Sequence, residues 1–190
     1  MSIRSFIAIP IPLEMANALG DASAKMAYQD KSNAVRWVDQ ENYHITLAFL
    51  GDQEEHDLEE LAERLDENLD VDNLTISISH FSPFPEGKPK LIAAMIDRND
   101  GLRELHKQVV SAMNASPIEV DKRRFIPHVT LGRYRHSKNP FAGAIISTTK
   151  LDAEIEEVVF FESTLTTAGA EYEALFRFPL NDFDYEPYEV

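Results

Sequence analysis

Two short segments of the chain repeat a histidine and a threonine at the same spacing. They are His44-Ile45-Thr46-Leu47 and His128-Val129-Thr130-Leu131. Residues two apart on a β-strand share a face, so each strand would present its histidine and threonine together and its apolar residues on the opposite side. One such segment is unremarkable on a half-exposed strand. Two copies predict a single site to which both strands contribute.

A pair of histidines suits acid–base chemistry near neutral pH. An ordinary histidine pKa near 6.5 lets one imidazole accept a proton from water while the other donates a proton to a leaving oxygen. Each of these steps typically contributes roughly 10² to 10⁴ in rate. The two threonine hydroxyls can donate hydrogen bonds to the non-bridging oxygens of a phosphate, where charge builds up in the transition state. This chemistry needs no metal.

A metal site is the competing explanation for two histidines. Zinc sites generally use a third protein ligand, but the next residues on the two motif faces are Ala48 and Ile126. The chain has no cysteine. Its other histidines lack a repeated setting; they are His56, His80, His106 and His136. We therefore expect neither a metal nor a cofactor, and we expect His106, beside an apolar helix stripe, to be structural.

Hydrophobic periodicity places both motifs on strands. Strands are predicted over residues 4–11, 35–38, 43–50, 74–81, 91–96, 125–134, 155–161 and 172–179, with a loop over 82–90. Three helices are predicted: one after Pro12, one with Asp52 as N-cap and Glu55 three residues later, and one capped by Asp100. The chain is thus expected to alternate helices with strands.

The two halves of the chain repeat the order strand, helix, and strand with His-x-Thr. The interval from residue 4 to His44 resembles that from residue 91 to His128, although little other identity survives. A pseudo-two-fold axis between the halves would bring both motifs into one cleft. We expect one bilobal domain over residues 1–190, with a frayed acidic tail at 181–190.

Charge limits the kind of partner. The chain carries 33 acidic and 18 basic residues, a net charge of −15, which argues against a broad surface that tracks nucleic-acid phosphates. A local basic cluster would still attract an anion; its members are Lys122, Arg123, Arg124, Arg133, Arg135 and Lys138. No leader-like or membrane-spanning segment is recognised. We expect a cytoplasmic, monomeric protein with no membrane or obligate protein partner.

Several segments together resemble one family. They are Arg4-Ser5-Phe6-Ile7-Ala8, Arg36-Trp37-Val38, the stretch 42–51 around His44, the stretch 123–133 around His128, and the closing stretch 172–180. They resemble the two-histidine (2H) phosphoesterase superfamily, in the bacterial and archaeal branch called 2′-5′ RNA ligase or RNA 2′,3′-cyclic phosphodiesterase. The resemblance covers nearly the whole chain. It implies a bilobal α+β fold, with two antiparallel sheets and helices around a central cleft and one His-x-Thr strand per lobe.

The resemblance also implies roles for individual residues. His44 and His128 match the catalytic pair, and Thr46 and Thr130 match the phosphate-binding threonines. Arg133, five residues after His128, matches an arginine placed near the phosphate.

Phe49 takes the position after His44 that Arg133 takes after His128, where it could stack on a base. Strict strand alternation would point both side chains away from the histidines. Their roles therefore require a bulge, a bend or a strand end, and the alternatives are a salt bridge for Arg133 and core packing for Phe49. Trp37 and Arg123 match the family pattern without an assigned task, and Arg124 replaces a proline found in many members.

The activity that this resemblance implies is hydrolysis of an RNA-terminal 2′,3′-cyclic phosphate to a 2′-phosphomonoester. The expected partners are RNA 3′ ends or nucleoside 2′,3′-cyclic phosphates. Two alternatives remain open. One is 2′-5′ ligation of a cyclic-phosphate end to a 5′-hydroxyl end, and the other is a non-catalytic module that binds nucleotides or RNA ends. The two equivalent motifs leave open which histidine is the base and which the acid.

Overall fold

The structure is a computed structural model that describes residues 2–119, 124–135, 141, 143–146, 150–166 and 169–180. Within these residues the strands are β1 (Ser2–Pro10), β2 (Val35–Trp37), β3 (His44–Glu54), β4 (Leu74–Phe84), β5 (Leu91–Ile96), β6 (His128–Tyr134), β7 (Leu151–Ile155), β8 (Glu157–Leu165) and β9 (Ala170–Pro179). The α-helices are α1 (Leu13–Gln29), α2 (Glu55–Asn68) and α3 (Asp100–Asn114). None of the helices in this part of the chain is long and apolar enough to cross a membrane.

All strands join one antiparallel sheet in the order β7-β4-β5-β6-β3-β1-β8-β9, and β2 pairs with the end of β6. The α+β class is therefore confirmed. The prediction of two separate sheets is wrong, because β6 and β3 lie at the inner edges of two four-stranded halves and pair with each other. This joint consists of one residue pair, Ile45 and Val129.

Helices cover the apolar face of the central strands. The buried stripe of α2 contains Leu58, Leu61 and Leu65, and α3 packs against α2 and against β3. Ile45 and Val129 are both fully buried in the same core. Complete burial of one such side chain contributes roughly 1.5–3 kcal/mol. This packing holds one face of β3 and β6 against the helices and leaves the other face for the polar residues of the motifs.

Two helix starts differ from the sequence prediction. Asp52 is not an N-cap, because it pairs with Arg4 of β1 and β3 continues through it to Glu54. Asp100 is the first residue of α3, and the cap is Asn99, whose side-chain oxygen accepts a hydrogen bond from the Leu102 amide at 2.8 Å. Asparagine is as good an N-cap as aspartate, so the local pattern allowed either residue.

Several strand boundaries also differ from those predicted from the sequence. β4 extends to Phe84 into the predicted loop, because Phe84 pairs with Leu91 across the hairpin. β6 begins at His128, three residues later than predicted, and β7 was missed altogether. The acidic tail 181–190 and most of the predicted loop 137–143 lie outside the described residues.

Candidate active site

The two histidines begin the two central strands, His44 on β3 and His128 on β6. The one residue pair that joins these strands is formed by Ile45 and Val129, the residues directly after the histidines. The repeated motifs therefore meet at matching positions of the two strands.

The antiparallel register at this joint decides which residues are neighbours. In an antiparallel pair the residue before Ile45 lies beside the residue after Val129, so His44 lies beside Thr130. In the same way the residue after Ile45 lies beside the residue before Val129, so Thr46 lies beside His128. Because side chains alternate along a strand, all four polar residues occupy the face opposite Ile45 and Val129. The structure thus brings together the four residues singled out by the repeat, with each histidine next to the threonine of the other motif.

Backbone carbonyls orient both imidazoles in the same way. His44 Nδ1 lies 2.8 Å from the Asn42 carbonyl oxygen, and His128 Nδ1 lies 2.8 Å from the Ile126 carbonyl oxygen. A carbonyl oxygen can only accept, so Nδ1 carries the proton and donates it in both cases. Nε2 is then the nitrogen whose lone pair is free in each neutral ring. Nothing in the sequence pattern pointed to these carbonyls, two residues before each histidine.

Aromatic rings pack around the histidines. The Phe6 ring lies 4.9 Å from the His44 ring and tilts by 39°, and the Phe84 ring lies 4.5 Å from the His128 ring and tilts by 36°. Tyr172 presents its ring edge-on to His44 at 5.3 Å. Sequence analysis gave Phe84 and Tyr172 no role at the site, because β4 and β9 reach the cleft only through the sheet topology.

Burial lowers the pKa of both histidines. For His44 the pKa falls to about 4, with burial as the largest cause and the positive charges of Arg133 and His128 adding to it, against the hydrogen bond to Asn42. For His128 burial again lowers the pKa, the Arg133 charge adds to it, and the hydrogen bond to Ile126 opposes it. Both imidazoles are therefore neutral at pH 7 in the free protein.

A shift in strand register lies directly after each motif. The pairing of β3 with β1 slips by one residue at Leu47, and the pairing of β6 with β5 slips by one residue at Leu131. An extra residue in one strand reverses the facing of everything beyond it. Phe49 and Arg133 therefore return to the face of the histidines. The sequence showed that a bulge, a bend or a strand end was needed for their roles, and a register shift lies directly before each of these residues' segments, at Leu47 and at Leu131.

The alternatives for these two residues do not hold. The Phe49 side chain is 53% exposed, with its ring 6.4 Å from that of Phe6, so it is not a core residue. Arg133 is exposed and forms no ion pair with any carboxylate that the structure describes. Its charge acts instead on His44 and His128, whose pKa values it lowers.

Trp37 and His106 have structural settings. A Cβ on Gly132 would lie 3.0 Å from Trp37 Cε3, so the indole packs directly on the β6 backbone, and it meets the Phe141 ring edge-on at 5.9 Å. His106 stacks on Phe125 with a ring separation of 3.9 Å, as expected for a structural histidine.

The predicted basic cluster is described only in part. Lys122, Arg123 and Lys138 lie outside the described residues, and Arg124 is exposed. Arg133 and Arg135 line a surface depression of about 370 Å³. A third arginine that sequence analysis left without a task, Arg36, lines the same depression. No group of three or more potential metal-ligating side chains occurs in the described part of the chain.

The fold and the site define a class: an α+β protein in which two strands that each carry His-x-Thr pair with each other and present these polar residues on one face of the sheet. Residues 16–166 match the model of the 2′-5′ RNA ligase superfamily, and the chain belongs to this superfamily.

Relatives with assigned names agree with this membership. The RNA 2′,3′-cyclic phosphodiesterase of Thermotoga maritima is 24% identical over 179 residues, which cover 92% of this chain and 94% of the relative. The RNA 2′,3′-cyclic phosphodiesterase of Methanocaldococcus jannaschii is 27% identical over 178 residues, which cover 91% of this chain and 98% of the relative. Escherichia coli LigT in complex with 3′-AMP has the same fold, with a TM-score of 0.79, 22% identity, and coverage of 95% of this chain and 99% of LigT.

Proposed function

We propose that this protein is a metal-independent phosphodiesterase that hydrolyses a 2′,3′-cyclic phosphate at the 3′ end of RNA to a 2′-phosphomonoester. The observation that carries the proposal is the paired site: two imidazoles with Nε2 free, each beside a threonine of the other motif. The names of relatives that align over more than nine-tenths of the chain support it. It needs no cofactor and no second subunit.

The reaction divides between the two imidazoles. One neutral Nε2 takes a proton from water as the water oxygen attacks phosphorus. The bond from phosphorus to O3′ breaks on the opposite side, and the other imidazole, protonated at Nε2, donates its proton to O3′. The product carries a 2′-phosphate and a 3′-hydroxyl. Two imidazoles related by a pseudo-two-fold axis suit this in-line geometry, since the base and the acid must lie on opposite sides of the phosphorus.

Four further side chains hold the substrate. Thr46 and Thr130 donate hydrogen bonds to the non-bridging oxygens, and Arg133 balances the phosphate charge. Phe49 stacks on the terminal base. His44 is favoured as the base, because its pKa is lowered to about 4 and it stays neutral over the widest pH range. His128 is then the acid, and the bound phosphate anion would favour its protonated form.

The two halves of the sheet are, in this proposal, duplicated lobes around the site. The order β1-α1-β3 corresponds to β5-α3-β6, with the first and last strands of each set paired antiparallel. The register shift after each motif supports the same correspondence.

Activity should survive removal of metal ions. The purified protein, incubated with EDTA and a short RNA ending in a 2′,3′-cyclic phosphate, should convert that end to a 2′-phosphate, because both proton transfers use imidazoles. Chromatography against 2′- and 3′-phosphate standards identifies the product. A strict requirement for an added divalent cation would contradict the mechanism. A 2′-5′ joined product with a 5′-hydroxyl RNA would point to ligation, and binding without conversion would point to a binding module.

The pH dependence of kcat/KM should change when the positive charge of Arg133 is removed. Because the base must be neutral and the acid protonated, kcat/KM should fall as the pH drops through about 4, the pKa of His44, and should fall again as the pH rises through the lowered pKa of His128. The maximum should therefore lie below pH 6.5. Arg133→Gln removes a charge that lowers both pKa values, so both limbs should move to higher pH, whereas Arg133→Lys should keep them in place.

Arg103→Gln is the matched control for this profile, because Arg103 is an exposed arginine on α3 that pairs with Asp100. It should leave both limbs where they are. If Arg133→Gln also left them in place, Arg133 would not lie close enough to the imidazoles to influence their protonation. Circular dichroism at each pH separates titration of the site from acid unfolding.

A further inference from the structure

We propose that Arg36 and Arg135, on either side of Arg133, bind a second phosphate of the substrate, the linkage on the 5′ side of the terminal nucleotide. The protein would then select oligonucleotide ends over nucleoside 2′,3′-cyclic phosphates. This inference rests on the proposed function, since it assumes that the cyclic phosphate lies between the two histidines.

The three arginines lie together because of the pairing of β2 with β6. Arg36 is the cross-strand partner of Arg133, so their side chains share a face. The Arg135 amide donates to the Ala34 carbonyl at 2.8 Å, which continues the pairing beyond the end of β6. Arg135 is two residues after Arg133 and so shares its face, about 6.6 Å farther along the strand. That step is comparable with the separation of neighbouring phosphates in an extended single strand.

Tyr172 lies between the arginines and the histidines. A smaller depression of about 70 Å³ is lined by Arg36, Arg133 and Tyr172, among others. Tyr172 is the residue whose ring meets His44 edge-on. The depression of about 370 Å³ then continues from Arg36 and Arg133 to Arg135. A chain whose end lies at the histidines would therefore pass over the three guanidinium groups.

The charges of these arginines are not neutralised within the described structure. Four other arginines lie 2.6–3.5 Å from a carboxylate oxygen; they are Arg64, Arg98, Arg103 and Arg177. Arg36, Arg133 and Arg135 form no ion pair with a carboxylate in the described ranges, although Asp39 lines the smaller depression. On a chain of net charge −15, unpaired cations at one place mark a local site for a polyanion.

The test compares two substrates on the same protein. One is a nucleoside 2′,3′-cyclic phosphate, and the other is a dinucleotide that carries the same terminal nucleotide and one internal phosphate. Arg36→Gln and Arg135→Gln should each lower the ratio of kcat/KM for the dinucleotide to that for the mononucleotide by about tenfold, the value of one charge-assisted hydrogen bond. Each should also reduce the slope of log(kcat/KM) against log[KCl] for the dinucleotide by about 0.7. Arg103→Gln should change neither quantity.

A neutral linkage gives the complementary test on the wild-type protein. A methylphosphonate at the internal position removes the charge and keeps the shape, so this dinucleotide should be cleaved no better than the mononucleotide. If the arginine variants lowered kcat/KM equally for both substrates, the arginines would act on the cyclic phosphate, and the proposal of a second subsite would be wrong. An unchanged ratio in both variants would also overturn it.

Binding without turnover separates this inference from the proposed function. Fluorescence anisotropy of a labelled dinucleotide ending in a 2′-phosphate should show about tenfold weaker binding to Arg36→Gln and to Arg135→Gln than to Arg103→Gln. If the wild-type protein hydrolysed neither substrate but Arg36→Gln and Arg135→Gln still bound the dinucleotide more weakly than Arg103→Gln, the proposed hydrolysis would be wrong and the phosphate subsite would be supported. If it cleaved both substrates and all variants bound equally, hydrolysis would stand and the subsite would be wrong.

Discussion

His44→Ala and His128→Ala should each lower kcat for a 2′,3′-cyclic phosphate substrate by roughly 10² to 10⁴, the usual contribution of a general acid or base. The double variant should be little worse than either single variant, because the two imidazoles make their two proton transfers in the same step and the loss of one makes the other ineffective. Steady-state kinetics at pH 6 with saturating substrate measures all three.

His56→Ala is the matched control, since His56 is an exposed histidine on α2, away from the two motifs. It should retain full turnover. Thermal unfolding of each variant shows whether the fold survives, because the aromatic rings beside His44 and His128 lose a packing partner. Near-normal turnover in one folded single variant would mean that the reaction does not need both imidazoles.

The site is symmetric in its chemistry and asymmetric in what surrounds it. The two motifs share their strand position, the orienting carbonyl, an adjacent phenylalanine ring and the register shift. Where the first half has Phe49, however, the second has Arg133, and only the second has β2 with Arg36 paired beside it. An RNA end is asymmetric in the same sense, because the base and the chain of phosphates leave the terminal ribose in different directions. We therefore expect the terminal nucleobase to lie on the β3 side of the site and the preceding phosphates to lie on the β6 side.

Much of the fold could be predicted from local patterns. Apolar periodicity identified all three α-helices and most strands, because the residues that repeat along each element are the ones that the core buries. The faces of the two motif strands could be predicted for the same reason, since Ile45 and Val129 had to be buried and their neighbours had to point away. The four central polar residues followed from this alternation.

The features that sequence analysis missed depend on contacts between distant segments. The joint between β3 and β6 and the approach of Phe84 and Tyr172 are set by strand order, which the sequence does not display. The carbonyls of Asn42 and Ile126 are backbone groups that no residue type announces. Strict alternation could show that Phe49 and Arg133 required a break in the alternation, which could be a bulge, a bend or a strand end. Only the pairing with neighbouring strands places it at Leu47 and Leu131.

Thr46→Val and Thr130→Val should each lower kcat by roughly 10² to 10³ while KM changes less, as is typical for loss of one preorganised donor to a developing charge. Valine keeps the volume and the strand preference of threonine but removes the hydroxyl. Neither hydroxyl is used within the described structure, since neither forms a hydrogen bond there. Both are thus available to a substrate oxygen. Steady-state kinetics on the two variants, with the same substrate as for the histidine variants, measures the effect.

Thr75→Val supplies the matched control, because Thr75 is an exposed threonine on β4 that pairs with Glu154 of β7, remote from the motifs. It should behave as wild type. The register also predicts which threonine acts together with which histidine. Thr130 lies beside His44 and Thr46 lies beside His128, so each threonine hydroxyl should donate to the phosphate oxygen nearest to the imidazole of the other strand. Full turnover in both folded valine variants would show that the threonines only shape the strands, and the phosphate would then have to be held by Arg133 and backbone amides alone.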